Sequence, residues 1–183
     1  MSLALPLLFS ACAAASRSTT TVTFHEASFE LPDSSWKQVD DRPGRLQFAK
    51  TRGRQRATYV SIWPVPVPLQ LRGLTPAEHA AKYLELELNL LRARGRLEEV
   101  VEGTREIAGR RYPVVTFRTS SLIPVEAVPL VDVLFLLYFP DDFAELQRFY
   151  TVMWQEFHPT TEPAGGLEDL DAIISTLRVR SRK

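Results

Sequence analysis

Cysteine is almost absent from this chain of 183 residues, since Cys12 is the only one. A single thiol cannot close an intramolecular disulfide, so the fold has to rest on hydrophobic burial, which suffices at this length. The three histidines, His25, His79 and His158, are far apart and show no zinc-ligand spacing. We therefore predict neither a metal site nor a cofactor.

The chain also lacks an excess of charge of either sign, because 22 Lys and Arg residues balance 22 Asp and Glu residues. A neutral chain has no global field that attracts nucleic acid, so DNA and RNA are not predicted as partners. Only eight glycines occur, and they form neither of the common phosphate-binding loops; the G-x-S-x-G hydrolase elbow is missing too. These absences predict a protein that is not an enzyme.

The first sixteen residues, MSLALPLLFSACAAAS, carry no charged side chain. Their apolar run, Leu3–Phe9, is shorter than the roughly 20 residues that a membrane-spanning helix needs. Small residues follow the run, which is typical of a cleaved secretory signal. The stretch Phe9–Cys12 resembles a bacterial lipobox, in which an aliphatic residue and two small residues precede the cysteine that is lipidated. Phe9 stands where Leu is usual, and no Lys or Arg precedes the run.

We therefore predict a signal peptide at residues 1–11, a lipidated N-terminus and flexible tether at 12–21, and a single domain at 22–180. Cys12 is the predicted lipidation site. The predicted location is the bacterial cell envelope, with the domain facing the periplasm or the cell exterior, and Ala13 after the cysteine favours the outer membrane. An ordinary cleaved signal and a structural segment with a buried Cys12 remain as alternatives.

Hydrophobic and β-branched patterns predict several strands and two helices. Pro64–Pro68 lacks a backbone donor at every second residue, so it is predicted to be extended and edge-exposed rather than part of a central strand. Asp142–Phe157 is ambiguous, because its C-terminal part reads as a strand and a helix is the alternative. Two strands are predicted on either side of a Pro32–Ser35 turn, and two more at Leu46–Lys50 and Ala57–Trp63. Another pair flanks Ala108–Arg110, and two further strands cover Pro129–Pro140 and Gln147–Phe157. A helix spans Leu167–Leu177, and a short edge strand follows it.

The segment from Thr75 to Gly95 is the clearest helix, with Thr75 as N-cap and Glu78 completing a capping box. Its main apolar face includes Ala80, Leu84 and Leu88. We expect His79 at a wet or boundary position of this helix.

A second apolar strip on the same helix is formed by Tyr83, Leu86 and Leu90. Together with Trp63, these residues form the candidate binding surface. A neighbouring loop is the simplest cover for the strip, and a partner protein or lipid surface is the alternative.

Two motifs in their chain order carry a family resemblance. The first is F-x-L-P-x-x-W, from Phe29 to Trp36, and the second is I-A-G-R-R-Y, from Ile107 to Tyr112. With the capped helix between them, this order resembles the PsbP-like family, whose fold is shared with a Ran-binding nuclear import factor and with DcrB-like envelope lipoproteins. The resemblance implies an α/β/α sandwich around a central, mostly antiparallel sheet. Pro64–Pro68 and the Ser120–Val128 loop depart from the pattern.

Members of this fold mainly bind or stabilise other proteins, and they share no catalytic residue set that could be transferred. The sequence therefore predicts a lipid-anchored envelope protein that acts through contacts with a protein partner. A small-molecule-binding lipoprotein is the alternative, with a pocket between sheet and helix near Trp63, Tyr83 and the Ser120–Val128 loop. An enzyme with an unrecognised site is a third option.

Overall fold

The computed structural model describes residues 19–40, 42, 44–51, 57–94, 97–120, 130–158 and 166–180. These ranges contain ten strands, three α-helices and a short 3-10 turn at Leu69–Leu71. In chain order they are β1 Thr20–Phe24, β2 Ala27–Leu31, β3 Lys37–Asp40, β4 Leu46–Thr51, β5 Ala57–Pro66, α1 Pro76–Arg94, β6 Leu97–Ile107, β7 Arg110–Ser120, β8 Leu130–Tyr138, α2 Phe143–Leu146, β9 Arg148–His158, α3 Glu168–Thr176 and β10 Arg178–Val179.

The strands form two sheets in which every pairing is antiparallel. The larger sheet has seven strands in the order β3-β4-β5-β9-β8-β7-β6, and the smaller has the order β1-β2-β10. The central strands of the larger sheet, β8 and β9, have buried residues on both faces. The nearly continuous apolar run at Pro129–Pro140 predicted this position, because a strand covered on both faces needs no polar side.

Two hydrophobic cores cover the two faces of the large sheet. On one face α3 and the small sheet pack over Ile62, Leu136 and Val152. On the other face α1 packs over Val115, Phe135 and Leu137. The predicted α/β/α sandwich is confirmed, with the small sheet sharing the α3 layer.

Helix α1 begins as predicted. The backbone N–H of Thr75 donates to Glu78 Oε2 at 2.7 Å, and the N–H of Glu78 donates to Thr75 Oγ1 at 3.3 Å. This reciprocal pair satisfies donors that a helix start leaves open. Ala80, Leu84 and Leu88 are buried against the sheet, which confirms the predicted main face.

The expectation for His79 is wrong, because this residue is only 4% exposed. Its ring lies 5.3 Å from Phe143 of α2 and 6.4 Å from Phe149 of β9, measured between ring centroids. The four-residue helix α2, which lies in the segment where a helix is the alternative to a strand, brings Phe143 over the start of α1.

Two tight turns show where local sequence signals succeed and fail. Ala108 and Gly109 both have positive φ, of 50° and 76°, so the predicted hairpin between β6 and β7 has a glycine where the turn requires one. The turn at His25 and Glu26 has no glycine or proline, and His25 adopts a φ of 52°. Because this turn has no glycine or proline signal, the sequence predicts one strand on each side of Pro32–Ser35, whereas the structure has three strands there, β1, β2 and β3.

The prediction for the proline-rich segment is partly wrong. Pro64 and Pro66 continue β5, which lies between β4 and β9. Beyond Ile62, however, β9 is the only described strand that pairs with β5, because the β4 register begins with Leu46 opposite Ile62. This end of β5 is therefore a local edge, where a missing N–H costs no bond to a second neighbour.

The C-terminal half resolves the ambiguity at Asp142–Phe157. Phe143–Leu146 is a single helical turn, and β9 then runs as a strand from Arg148 to His158. The predicted C-terminal helix and short strand are confirmed as α3 and β10, although β10 joins the small sheet beside β2. β1 begins at Thr20, so the last two residues assigned to the tether, Thr20 and Thr21, pair with β2.

Lys50 links three elements around the first core. Its Nζ lies 2.8 Å from Asp33 Oδ2, in the turn after β2, and 2.6 Å from Asp169 Oδ2 on α3. Hydrogen bonds from Lys50 and then Ser35 lower the pKa of Asp33 to about 2. Burial works against the Lys50 ammonium, yet its hydrogen bonds to Asp169 and Asp33 raise the pKa of Lys50.

We expect Lys50→Met to lower the free energy of unfolding at pH 7 and to reduce its dependence on acid. Since the pKa of Asp33 is depressed in the fold from 3.8 to about 2, its stabilisation is complete above pH 3.8 and is lost as the pH falls through about 2. Urea titrations at several pH values measure this. Lys37→Met, which changes an exposed lysine bonded to the Ser34 carbonyl, is the control. An equal acid dependence in both variants would contradict the assignment.

Candidate functional site

The structure places Trp63 and Tyr83 in direct contact. The indole Nε1 of Trp63 on β5 donates to the Tyr83 hydroxyl on α1 at 3.4 Å, and both side chains are half-buried. The Tyr83 ring also meets Phe149 of β9 edge to face, at 5.2 Å between centroids. Burial raises the pKa of Tyr83 to about 12. These contacts hold α1 against the sheet.

Leu86 and Leu90 continue from Tyr83 along the outside of α1. Spacings of three and four residues place Tyr83, Leu86 and Leu90 on one side of a helix. Leu86 is 55% exposed and Leu90 is 44% exposed, so the predicted second strip is open to solvent over these two side chains. We call the surface formed by Trp63, Tyr83, Leu86 and Leu90 the α1 flank.

A cation lies at the Trp63 end of the α1 flank. The Arg45 guanidinium carbon is 5.7 Å from the centroid of the Trp63 ring, and Arg45 Nη2 donates to Ser61 Oγ at 3.0 Å. Burial lowers the pKa of Arg45 from its ordinary value, although the group remains cationic at neutral pH. The α1 flank therefore combines two exposed leucines with an aromatic pair, and an arginine lies beside its Trp63 end.

A second candidate site is a cleft of about 260 Å³ on the opposite face of the sheet. It lies where the covering layer of α3 begins, since Leu167, the N-cap residue of α3, is part of its lining. We call it the charged cleft. It is lined by Glu99, Thr116, Phe117, Arg118, Asp132, Val133, Leu134, Trp154, Glu156 and Leu167.

Arg118 on β7 organises the charges of this cleft. Its Nε donates to Asp132 Oδ1 on β8 at 2.8 Å, and its Nη1 donates to Glu99 Oε1 on β6 at 2.9 Å. The other Asp132 oxygen, Oδ2, lies 2.9 Å from Nε2 of His158 on β9. Four neighbouring strands therefore each contribute one member of a continuous polar network.

Burial and hydrogen bonding act in opposite directions on this network. Burial of Asp132 opposes its ionisation, but hydrogen bonds from Arg118 and His158 outweigh that effect and lower the pKa of the carboxyl below 3.8. Glu156 and His158 are only 4% and 1% exposed. The cleft thus has a charged wall at Arg118 and Asp132, and the side chains of Leu134, Trp154 and Leu167 provide apolar lining.

Sequence reasoning missed the charged cleft. One signal was present, since Asp132 interrupts an otherwise apolar strand, and Glu156 and His158 alternate toward one face of the next strand. The pairing of Arg118 with Asp132 and of Asp132 with Glu156 depends on the strand register, which no local pattern reveals. Glu98 and Glu102 are exposed on β6.

Other predicted features lie outside the described residues or lack a site there. Cys12 and residues 121–128 of the Ser120–Val128 loop are not among the described residues. Within the described ranges, no group of three or more His, Cys, Asp and Glu side chains is arranged to hold a metal ion. Of the helices in those ranges, none has the length and apolar composition that crossing a membrane requires.

Comparison with known proteins identifies the fold. No protein-family model matches the chain, and neither does any curated protein sequence. Among solved structures, the Ran-binding protein Mog1p of Saccharomyces cerevisiae is similar over 90% of this chain and 96% of its own, with a TM-score of 0.52 and 11% identity. This chain has the fold of Mog1p. The fold expected from the family resemblance is therefore confirmed, while 11% identity carries no function across.

Two further structures are similar at lower scores. The cyanobacterial PsbP protein CyanoP from Synechocystis sp. PCC 6803 matches with 16% identity and a TM-score of 0.47, over 94% of this chain and 99% of its own. A protein from Bacteroides thetaiotaomicron VPI-5482 matches with 12% identity and a TM-score of 0.45, over 85% of this chain. The chain spans about half of that protein's length, at 46%.

The Arg118 network predicts a measurable change in the ionisation of Asp132. In Arg118→Met the carboxyl keeps its burial but loses its strongest hydrogen bonds, so its pKa should rise, and the free energy of unfolding should fall by about 1 kcal/mol, since solvent screens this partly exposed pair. Carboxyl carbon NMR across a pH series measures the first effect, and urea unfolding measures the second. Arg111→Met is the control, because Arg111 is exposed on the same strand. An unchanged Asp132 pKa would contradict the network.

Proposed function

We propose that this chain is a non-enzymatic, lipid-anchored protein of the bacterial cell envelope that acts as an accessory or stabilising factor through protein contacts. The observation that carries the proposal is the α1 flank, where Leu86 and Leu90 stay exposed beside a packed Trp63–Tyr83 pair. Aromatic residues and arginine are enriched at the centres of protein interfaces. Here Arg45 lies beside the Trp63 ring.

The shape of the α1 flank favours a protein over a lipid surface. A helix that lies in a membrane interface presents a broad apolar face. Here the main apolar face of α1 is already used against the sheet, and only a narrow strip of two leucines remains, with exposed Glu85 and Asn89 next to it. A groove on a protein can fit such a strip and can also supply a carboxylate for Arg45.

The fold comparison supports the proposal in a coarse way. Mog1p, whose fold this chain shares, is described as a Ran-binding protein, so the same arrangement of layers serves protein recognition there. Acyl chains on Cys12 would confine the domain near a membrane and raise its effective concentration beside partners there. Several acyl chains give stable anchoring, whereas one chain binds only marginally.

Lipidation is tested by metabolic labelling with a clickable fatty-acid analogue in a bacterial host. We expect label on the wild-type chain and none on Cys12→Ser, because only a thiol can form the thioether bond to the diacylglyceryl group. In cell fractionation, the wild-type chain should appear in the membrane pellet and the Cys12→Ser variant should be absent from it. Equal labelling of the two chains would remove the anchor from the proposal while leaving the α1 flank untouched.

The protein contact is tested by placing a photo-crosslinking phenylalanine analogue at Leu86 or Leu90 in native membranes. We expect a reproducible protein adduct of defined mass from either position. The matched control is Arg92, which is exposed on α1 two residues beyond Leu90 and therefore faces the side away from the two leucines. Adducts to lipid alone, or equal adducts from Arg92, would contradict a protein partner at the α1 flank.

Small-molecule binding is a second candidate function, and the charged cleft is the observation that favours it. Its volume of about 260 Å³ lies slightly below the range of roughly 300–1,000 Å³ usual for ligand sites. The cleft would therefore suit a small polar ligand. It lies on the α3 face of the sheet, whereas the sequence places a pocket beside Trp63 and Tyr83.

A further inference from the structure

A groove of about 480 Å³ runs along β1, within the size range of ordinary ligand sites. Four consecutive residues of β1, Thr20–Thr23, form one wall, so the strand contributes its backbone edge as well as one row of side chains. The remaining lining comes from the turn and strands that follow, namely Leu31, Ser34, Trp36, Lys37, Gln38 and Phe48.

The wall formed by β1 includes an outer strand edge that no other described strand covers. β1 is a terminal strand of its sheet, and its only neighbour among the described strands is β2. Phe24 and Ala27 flank the two-residue turn, so they form a hydrogen-bonded pair. Alternation along the strand then directs the N–H and C=O groups of Thr21 and Thr23 away from β2, toward the groove.

The base of the groove is apolar. Leu31, Trp36 and Phe48 are each at most 5% exposed and belong to the core beneath the small sheet. The indole Nε1 of Trp36 is buried and has no hydrogen-bond acceptor among the described residues. Gln38 pairs with Phe48 and so shares its face of the large sheet, yet it is exposed because no described element covers it.

We propose that this groove binds an extended peptide segment of a partner protein, which pairs with β1 as an added strand. Backbone amides and carbonyls of such a segment complete the open edge at Thr21 and Thr23, and alternate apolar side chains meet the base. At about 3.3 Å per residue, the five residues of β1 match a segment of four or five residues.

Charge at the rim of the groove further restricts which peptide sequences can bind. The Lys37 ammonium donates to the Ser34 carbonyl at 2.9 Å and pairs with no carboxylate among the described residues. The β1 wall contributes threonines and a valine and no charge. The favoured segment therefore alternates apolar residues with polar ones that include an acidic side chain near Lys37. This site is separate from the α1 flank and does not depend on Cys12.

The test is an NMR titration of the full, ¹⁵N-labelled chain with the capped peptide Ac-VEVEV-NH₂. We expect saturable shifts at the amides of Thr21 and Thr23, slower solvent exchange of those two amides, and no shifts along α1. The absence of a saturable shift would overturn the proposal, and so would shifts confined to the charged cleft or the α1 flank. Shifts at β1 that grow with protein concentration before any peptide is added would assign the edge to a second copy instead.

Two double variants test whether the peptide binds through backbone pairing with β1 or through other contacts. The double variant Thr21→Pro/Thr23→Pro removes two outward donors from an edge strand and should weaken peptide binding about tenfold. The matched control, Thr21→Ala/Thr23→Ala, keeps both amides and should bind like the wild type. Equal weakening in both double variants would overturn strand pairing.

If the proline variant does not fold, Lys37→Glu keeps the proposal falsifiable. This exposed substitution should weaken binding of Ac-VEVEV-NH₂ and strengthen binding of Ac-VKVKV-NH₂. Unchanged preference for the acidic peptide would contradict the groove as its site. Because none of these readouts involves Leu86, Leu90 or lipidation, failure here is distinguishable from failure of the proposed function.

Discussion

The burial of β8 and β9 on both faces is the constraint on which the rest of the structure depends. Leu136, Leu137 and Val152 have no exposed surface, and neighbouring positions along each strand point to opposite faces. Strands that are apolar on both sides cannot be stabilised by one layer, since the other face would remain in water. The chain meets this requirement with two separate cores, one under α1 and one under α3 and the small sheet.

Several parts of this arrangement were predictable because their signals are local. The capping box at Thr75 and Glu78, the glycine turn at Gly109 and the apolar run of β8 each need only a few neighbouring residues to be recognised. The turn at His25 and the burial of His79 carry no such signal. They depend on which distant elements meet, as Phe143 does with His79.

The candidate sites divide in the same way. The α1 flank follows from helical spacing, although the hydrogen bond between Trp63 and Tyr83 required the fold to bring β5 beside α1. The charged cleft combines residues from four strands and depends on register, so a sequence pattern could not assemble it. The two sites lie on opposite faces of one sheet. A ligand in the cleft and a protein on the flank would therefore occupy separate surfaces.

Hydrogen exchange of the folded chain, resolved by residue with NMR, tests the role of the central strands most directly. If burial on both faces makes β8 and β9 the structural centre, their amides should exchange only through global unfolding and should be the slowest in the chain. Amides of the edge strands β1 and β6 should exchange faster, through local opening. The account would be contradicted if amides of β8 exchanged as fast as those of β6 while the chain remained folded.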